Sequence, residues 1–300
     1  MENTKSKITA CMCATDASGL ELVKHGTKNF PVGFYSKVTN SSEVPWHWHD
    51  HLELEYVEAG EAKITIESMV FTVRKGEGFF VNSARLHAVF PDKDYISHTV
   101  VFHPSVISSN PESDIYRKYL EPLINGDSFA GLHLTEDIPF HRELLSYTKS
   151  AFESYIKGDF GYEIDVTNSL AKAVQCLAYQ VIHTSENNYN VPDKSILRVK
   201  KMLAYLTQNL SEKIEIEDIA KVARISTTEC LRCFNKTVGM PPIQYLKKLR
   251  IQKAALLLGS SDDKIIDIAL ACGFSDMSYF ARAFKESRGM SPKEYRNSVR

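Results

Sequence analysis

The segment PWHWHDHLELEYVEAG (45–60) places His47, His49, His51, Glu53 and Glu55 at alternate positions. On a regular strand such residues share one face, because successive side chains point to opposite sides. His87, in the later stretch RKGEGFFVNSARLHAVF (74–90), can join them from a neighbouring strand. His47, His49 and Glu53 from one strand and His87 from the next would form a three-histidine, one-carboxylate set suited to a divalent transition metal. The same groups can instead hydrogen-bond a polar organic ligand, with Trp46 or Trp48 lining the pocket and stacking on a sugar ring. A third reading makes them satisfied structural histidines in the mouth of a barrel. Residue type and spacing leave all three open.

A second set of candidate residues lies in DIALACGFSDMSYFARAFKESRGMSP (267–292). Ile268, Ala269, Phe274, Phe280 and Phe284 are apolar anchors, interrupted at Cys272-Gly273-Phe274. Gly273 permits the positive φ of a tight inter-helix turn. Ala269 is small enough for a second helix to cross close by. Ser275 and Asp276 can accept from the free N–H groups at the start of the next helix. Arg282 and Lys285 fall outside the aromatic stripe. These parts describe a helix-turn-helix whose second helix fits a DNA major groove. An ordinary helical hairpin would look much the same.

Recurrence separates the two. The stretch IEIEDIAKVARISTTECLRCFNKTVGMPP (214–242) repeats the parts, with Ala220 where Ala269 stands. Arg232 and Arg282 are 50 positions apart, as are Phe234 and Phe284. Gly239-Met240-Pro241 closes the first unit as Gly289-Met290-Ser291 closes the second. Between them PIQYLKKLRIQKAALLL (242–258) reads as a helix with Ile243, Leu246, Leu249, Ala254 and Leu257 on one side. A rigid helix of that length can hold two recognition helices about one DNA turn apart, ~34 Å.

The elements that position these residues follow from the rest of the chain. Three hundred residues that are 43% apolar allow two domains, each with a core. The net charge of −1 is uninformative until the chain is divided. Residues 194–300 hold 20 Lys and Arg against 11 Asp and Glu, whereas residues 1–193 hold 16 against 26. A basic half joined to an acidic half is expected when only one of them meets phosphate. No stretch approaches ~18 consecutive apolar residues, and MENTKSKITACMC has no signal-peptide core, so a cytoplasmic protein with reduced thiols is expected. Cys11 and Cys13 form a bare C-x-C, and Cys230 and Cys233 a bare C-x-x-C on a helix. Neither has a second pair at zinc-finger spacing. Cys176, Cys230 and Cys233 read as small core residues.

Alternation in 32–39, 52–60, 62–67 and 70–74, with glycines between, predicts short strands in a sandwich or small barrel. Residues 106–136 are expected to be irregular, with turn signals at Pro111, Pro122, Gly126 and Gly131. Two helices follow at 139–158 and 163–184. The second is apolar over more than one face and must bury against more than its own barrel. The polar stretch SENNYNVPD (185–193) reads as a linker. A helix at 194–209, burying Ile196, Val199, Leu203 and Leu206, opens the basic domain.

With these motifs in view, residues 194–300 resemble the AraC/XylS family of bacterial transcription regulators, and 45–60 and 74–90 resemble the two cupin motifs. The resemblance implies an α+β chain of two domains. A cupin-like jelly-roll sensor (1–136) would be followed by a helical pair for dimerisation (137–184), a linker (185–193) and an all-α DNA-binding domain (194–300). Two departures stand out: Arg224 sits where a turn-former is common, and Cys230 and Cys233 replace larger apolar residues. Carried over by position, Thr227, Thr228, Leu231 and Arg232 face DNA from the first recognition helix. Asp276, Met277, Ser278, Tyr279, Ala281 and Arg282 do so from the second, with Lys236 and Lys285 on phosphate. Arg232 and Arg282 suit guanine edges, the alternative being salt bridges to Glu229 or Asp267.

The expected function is a sequence-specific regulator, in the activating sense, that binds operator DNA as a homodimer. It would respond to a small-molecule effector, for which a carbohydrate is favoured, and engage RNA polymerase if it activates. Trp46, His47, Trp48, His49, Glu53 and His87 are the effector contacts, with no cofactor required unless the barrel holds a metal. A metal-dependent cupin enzyme with a DNA-binding tail is the alternative. A DNA-repair methyl acceptor would need more cysteines than Cys11 and Cys13.

Overall fold

The structure is a computed structural model, and it describes residues 20–37, 43–125, 129–184 and 194–299. The expected linker at 185–193 and the Cys11–Cys13 pair lie outside those residues. The chain divides into two compact units, the second taking over at residue 194.

Among the described residues, the N-terminal unit has nine short strands: β1 (Val32–Lys37), β2 (Val44–His47), β3 (Leu52–Ala59), β4 (Glu61–Ile66), β5 (Met69–Arg74), β6 (Gly78–Val81), β7 (His87–Pro91), β8 (Ile96–Phe102) and β9 (Gly131–Leu134). They form two antiparallel sheets with orders β1-β8-β3-β6-β9 and β2-β7-β4-β5. Alternation along β3 explains the layering. Leu52 and Leu54 face away from the second sheet, into a core with Val32, Phe34, Phe80, Val100 and Phe102. Val57 faces the other way, into an inter-sheet core with Ile64, Ile66, Val73 and Phe79. Glu53 and Glu55 share its parity and are therefore drawn between the sheets.

Residues 106–136 are less irregular than their turn signals imply. A π-helical stretch (Tyr116–Leu120) runs into α1 (Glu121–Asn125), and β9 then pairs with β6. Four residues carry too little alternation to announce a strand, and β9 exists because Gly131 lets the chain approach β6 closely. A Cβ there would lie 2.5 Å from the Phe80 carbonyl oxygen. Helix α2 (Pro139–Lys157) packs on the outer face of the five-stranded sheet, and α3 (Tyr162–Thr184) packs on α2, on the π-helical stretch and on α1. Helix α3 buries Val166, Leu170, Val174 and Leu177, yet leaves Ile164, Tyr179 and Ile182 exposed at 66%, 63% and 46%. Cys176 is half-buried rather than a core residue.

The C-terminal unit is all helical: α4 (Lys194–Gln208), α5 (Ile216–Ala223), α6 (Thr227–Val238), α7 (Pro242–Ser260), α8 (Ile265–Ala271), α9 (Met277–Arg288) and α10 (Pro292–Ser298). The pairs α5–α6 and α8–α9 are the two expected helix-turn-helix units. Helix α7 does not present the single seam of Ile243, Leu246, Leu249, Ala254 and Leu257. Its buried residues are Pro242, Tyr245, Leu246, Ile251, Ala254, Ala255 and Leu258, while Ile243 is exposed. The reason is tertiary. The first half of α7 packs on the first unit, with Tyr245 edge-on to Phe234, and the second half packs on Phe274, Phe280 and Phe284 of the second. A helix with two partners on different sides shows no one stripe.

The two inter-helix turns meet the same demand with different residues. Gly273 has φ +80°, and a Cβ there would lie 2.8 Å from the Leu210 carbonyl oxygen. Arg224 occupies the left-handed region at φ +55°, its N–H closing α5 on Ala220 and Lys221. An L-residue in that region costs about 1–2 kcal/mol, and glycine gives back about 0.5–1 kcal/mol in unfolded-chain entropy. We therefore expect Arg224→Gly to stabilise the C-terminal unit by up to about 1 kcal/mol. Gly273→Ala should destabilise it by about 1–3 kcal/mol. Urea unfolding of the two variants checks both signs; a stable Gly273→Ala protein would remove the argument.

Candidate functional site

The chain leaves β2 at His47, turns through residues 48–51 and re-enters as β3 in the opposite sheet. The side chains expected on one strand are thus distributed over β2, a turn and β3. His47 ends β2, His49 sits in the turn, Glu53 belongs to β3, and His87 opens β7 directly across from His47. These four buried side chains converge, with one ligand atom of each within 4.8 Å of the others. The turn also separates them from their neighbours of like parity. His51 packs edge-on against His25 and His103. Glu55 accepts hydrogen bonds from the Tyr95 hydroxyl and from Thr99 Oγ1, the latter at 2.7 Å.

Each ring of the cluster is oriented by a backbone carbonyl. Nδ1 of His47 lies 2.9 Å from the Pro45 oxygen, Nδ1 of His87 lies 2.9 Å from the Arg85 oxygen, and Nδ1 of His49 lies 3.1 Å from the His51 oxygen. A carbonyl only accepts, so each Nδ1 carries hydrogen, and a ring that is neutral presents its lone pair at Nε2. His49 Nε2 donates to Glu53 Oε2 at 2.9 Å, so this ring carries hydrogen on both nitrogens; burial opposes its charge, but the Glu53 carboxylate outweighs burial and raises the ring above the usual imidazole value. His87 Nε2 is 3.3 Å from the same oxygen, is not aligned to hydrogen-bond with it, and is otherwise buried without a partner. Burial works against the Glu53 carboxylate, but the His49 and His87 rings outweigh it and hold the carboxyl well below its usual range. Burial, reinforced by His87 and His49, pushes His47 well below the ordinary imidazole value. Burial and the Glu53 charge push Glu55 up.

The space beside these groups is small. A cavity of about 30 Å³ is lined by His25, Tyr35, His47, Glu53, Glu55 and Thr99, among others. That is the volume of about one water molecule, against ~300–1,000 Å³ for pockets that enclose organic ligands. Neither Trp46, which is buried, nor Trp48, which is half-buried, is among its lining residues. The aromatic side chain in the cavity wall is Tyr35.

In the C-terminal unit, α6 and α9 start on matched caps. Ser226 Oγ accepts from the Glu229 N–H at 3.2 Å, and Asp276 Oδ1 accepts from the Tyr279 N–H at 2.9 Å. Cys230, Cys233 and Phe234 are buried on α6, as are Phe280, Ala283 and Phe284 on α9. Both cysteines are therefore core residues, with burial pushing the Cys230 thiol up to about 11. The opposite face of α6 exposes Thr228, Leu231, Arg232 and Lys236, with Thr227 half-buried. On α9 the exposed residues are Ser278, Tyr279, Ala281, Arg282 and Lys285, preceded by the cap Asp276. Met277 is different: it is half-buried against the core of the second unit, because the first turn of α9 leans on α8.

The two arginines at equivalent positions are not equivalent in bonding. Arg232 grips Glu229 with two hydrogen bonds of 2.8 and 2.7 Å, and Glu229 also lies 3.5 Å from Arg198. Arg282 is exposed and has no ion-pair partner among the described residues.

A family model described as a helix-turn-helix domain matches residues 219–298, and another described as an AraC-like ligand binding domain matches 33–148. The chain is a transcription regulator of the AraC family. It is 29% identical over 284 residues to the HTH-type transcriptional regulator YdeC of Bacillus subtilis, covering 92% of this chain and 95% of that one. It is 24% identical over 271 residues to the transcriptional activator RhaR of Yersinia pseudotuberculosis, covering 90% of each. The structure of ToxT from Vibrio cholerae aligns over 91% of this chain and 99% of its own, at 15% identity, but the TM-score of 0.43 is too low to bear on anything further. Among the described residues, no helix of the regulator is long and apolar enough to cross a membrane.

One residue important to the DNA-binding unit gave no sign in the sequence. Arg250 of α7 donates from Nε to the Leu210 carbonyl at 2.8 Å and from Nη2 to the Glu212 carbonyl at 2.6 Å, both in the connection before α5. Its guanidinium also lies 6.0 Å from the Phe274 ring, in the second unit. Arg250 thus ties both helix-turn-helix units to the helix between them. We expect Arg250→Ala to cost about 1–3 kcal/mol of unfolding free energy, since it strands two carbonyls. It should also weaken binding to DNA that spans both units more than binding to a half-site. Equal losses on the two DNA lengths would make Arg250 a stabilising residue only.

Proposed function

We propose that this regulator is an effector-responsive activator that binds operator DNA as a homodimer, in the cytoplasm of a bacterium. The observation that carries the DNA reading is the paired display of exposed polar side chains on α6 and α9, at either end of a helix that both units grip. In this reading Thr227, Thr228, Leu231 and Arg232 enter one major groove, and Asp276, Ser278, Tyr279 and Arg282 enter the next. Lys236 and Lys285 lie further along and meet phosphate. Met277 contributes less than the others, being committed to the core. Arg282 is free to donate two hydrogen bonds to a guanine edge, whereas Arg232 must first give up Glu229. Activation would act through contact with RNA polymerase, and is supported by the activators among the relatives.

The dimer reading draws on α3. Ile164 and Ile182 are eighteen residues apart and Tyr179 stands close by, so all three lie within about 60° round the helix. An exposed apolar strip of this kind suits an isologous contact with a second copy. The His47, His49, Glu53 and His87 cluster is the reading's sensing site. A carbohydrate effector finds no support in a cavity of about 30 Å³ without a tryptophan in its wall. The alternative of a metal-dependent enzyme has the histidine cluster in its favour, but the cavity that the described residues leave beside it is only about 30 Å³.

Two measurements test the proposal. Arg282→Ala should lower affinity for the cognate operator by about 1–3 kcal/mol through one base position, leaving affinity for random DNA unchanged. An equal loss on random DNA would reduce Arg282 to a phosphate contact. Sedimentation equilibrium of Tyr179→Glu/Ile182→Glu should give a monomer where the unaltered chain gives a dimer; a monomeric unaltered chain at micromolar concentration would end the dimer reading.

A further inference from the structure

We propose that the barrel of this regulator is a metal site, taking one divalent first-row transition ion on Nε2 of His47, His49 and His87 and on the Glu53 carboxylate. It deepens the reading of the barrel as the sensing site by naming the class of its ligand.

Four features of the cluster point the same way. Its ligand atoms come from β2, the following turn, β3 and β7, and all are buried within 4.8 Å of one another. Every Nδ1 is already spent on a backbone carbonyl, so each ring turns Nε2 toward the cluster, and a cation there would displace the proton that His49 shares with Glu53. Carbonyls that hold the distal nitrogen of a histidine in this way fix the ring and raise its strength as a ligand. His87 Nε2 is a buried nitrogen with no hydrogen-bond partner, and Glu53 Oε2 is the one oxygen approached by both His49 and His87. A purely structural cluster would give each nitrogen its own partner. A single cation would satisfy all three rings and the carboxylate together.

The chemistry of the donors narrows the ion. Three imidazole nitrogens and one carboxylate oxygen suit zinc, nickel, cobalt, iron or manganese rather than calcium or magnesium, which prefer oxygen ligands throughout. A contraction of about an ångström would bring the four atoms to the ~2.0–2.2 Å bonds such ions make. The adjoining cavity of about 30 Å³ has room for a water or a small anion on the open side of the ion. Because His47 and His87 belong to one sheet and Glu53 to the other, the ion would also cross-link the sandwich.

The test uses the full chain, purified without a polyhistidine tag. Cobalt(II) titrated into the apo protein should saturate at one ion per chain, with visible d–d absorption bands, and the melting temperature should rise by several degrees. Glu53→Gln and His87→Gln should lower cobalt affinity about 10–100-fold or more, while His51→Gln, of the same parity but outside the cluster, should keep it. Circular dichroism verifies that each variant is folded. If neither cluster variant folds, the spectrum and stoichiometry of the unaltered chain decide the matter. A folded, unaltered chain that takes up no cobalt overturns the site, as does full affinity in Glu53→Gln/His87→Gln. Operator binding measured in parallel keeps the readings apart. A chain that binds DNA but no metal overturns the site alone; one that binds metal but no DNA leaves the site standing and overturns the proposed regulatory reading.

Discussion

Burial of Glu53 between two apolar sheets is the constraint around which the N-terminal unit is arranged. A carboxylate removed from water costs several kcal/mol unless charge and hydrogen bonds are returned to it. The unit answers with His49 at 2.9 Å and His87 at 3.3 Å, each ring fixed from behind by a carbonyl two residues away in the chain. That arrangement needs β2 to stop at His47, the chain to cross between the sheets by residue 52, and β7 to run beside β2 with His87 opposite His47. Glu55, two residues on, solves the same problem with the hydroxyls of Tyr95 and Thr99. Two adjacent carboxylates of one strand are thereby given different partners and opposite shifts in acidity.

The C-terminal unit answers to a mechanical demand. Two helix-turn-helix units that act on one DNA molecule must keep a set separation, and a helix only transmits separation if both ends are gripped. Helix α7 is gripped through Tyr245 on Phe234 at one end and through Ile251, Ala254 and Leu258 on the phenylalanines of α8 and α9 at the other. Arg250 sits between, bonded to the backbone of the first unit and lying against Phe274 of the second. Gly273 belongs to this joint as much as to its own turn, since a side chain there would strike both Leu210 and Arg250.

Much of this architecture could be read from residue order, because the relevant signals are local. The fifty-residue repeat, the caps Ser226 and Asp276 and the glycine stops depend on near neighbours, as does the alternation of β1, β3, β4 and β5. Each was legible for that reason. Signals that depend on distant partners were not. The seam of α7 was misplaced because its two partners lie on different sides. Nothing local marks β9, because four residues pair only through a close approach at Gly131, and residue order does not show that Met277, in line with the DNA-facing positions, is half-buried against the core.

For the site, residue order supplies the groups: His47, His49 and Glu53 at alternate positions, His87 in a later stretch, and two arginines at matched places in a repeat. Tertiary structure decided how they are used. It broke the supposed single strand into β2, a turn and β3, and so kept His47, His49 and Glu53 with His87 while sending His51 and Glu55 to other partners. It left about 30 Å³ beside them, the volume of a water rather than a sugar, and placed neither Trp46 nor Trp48 in the wall. It closed Arg232 onto Glu229 and left Arg282 open. Spacing along a chain fixes which face a side chain can reach, but the volume left over and the partner that arrives first depend on every element packed around it.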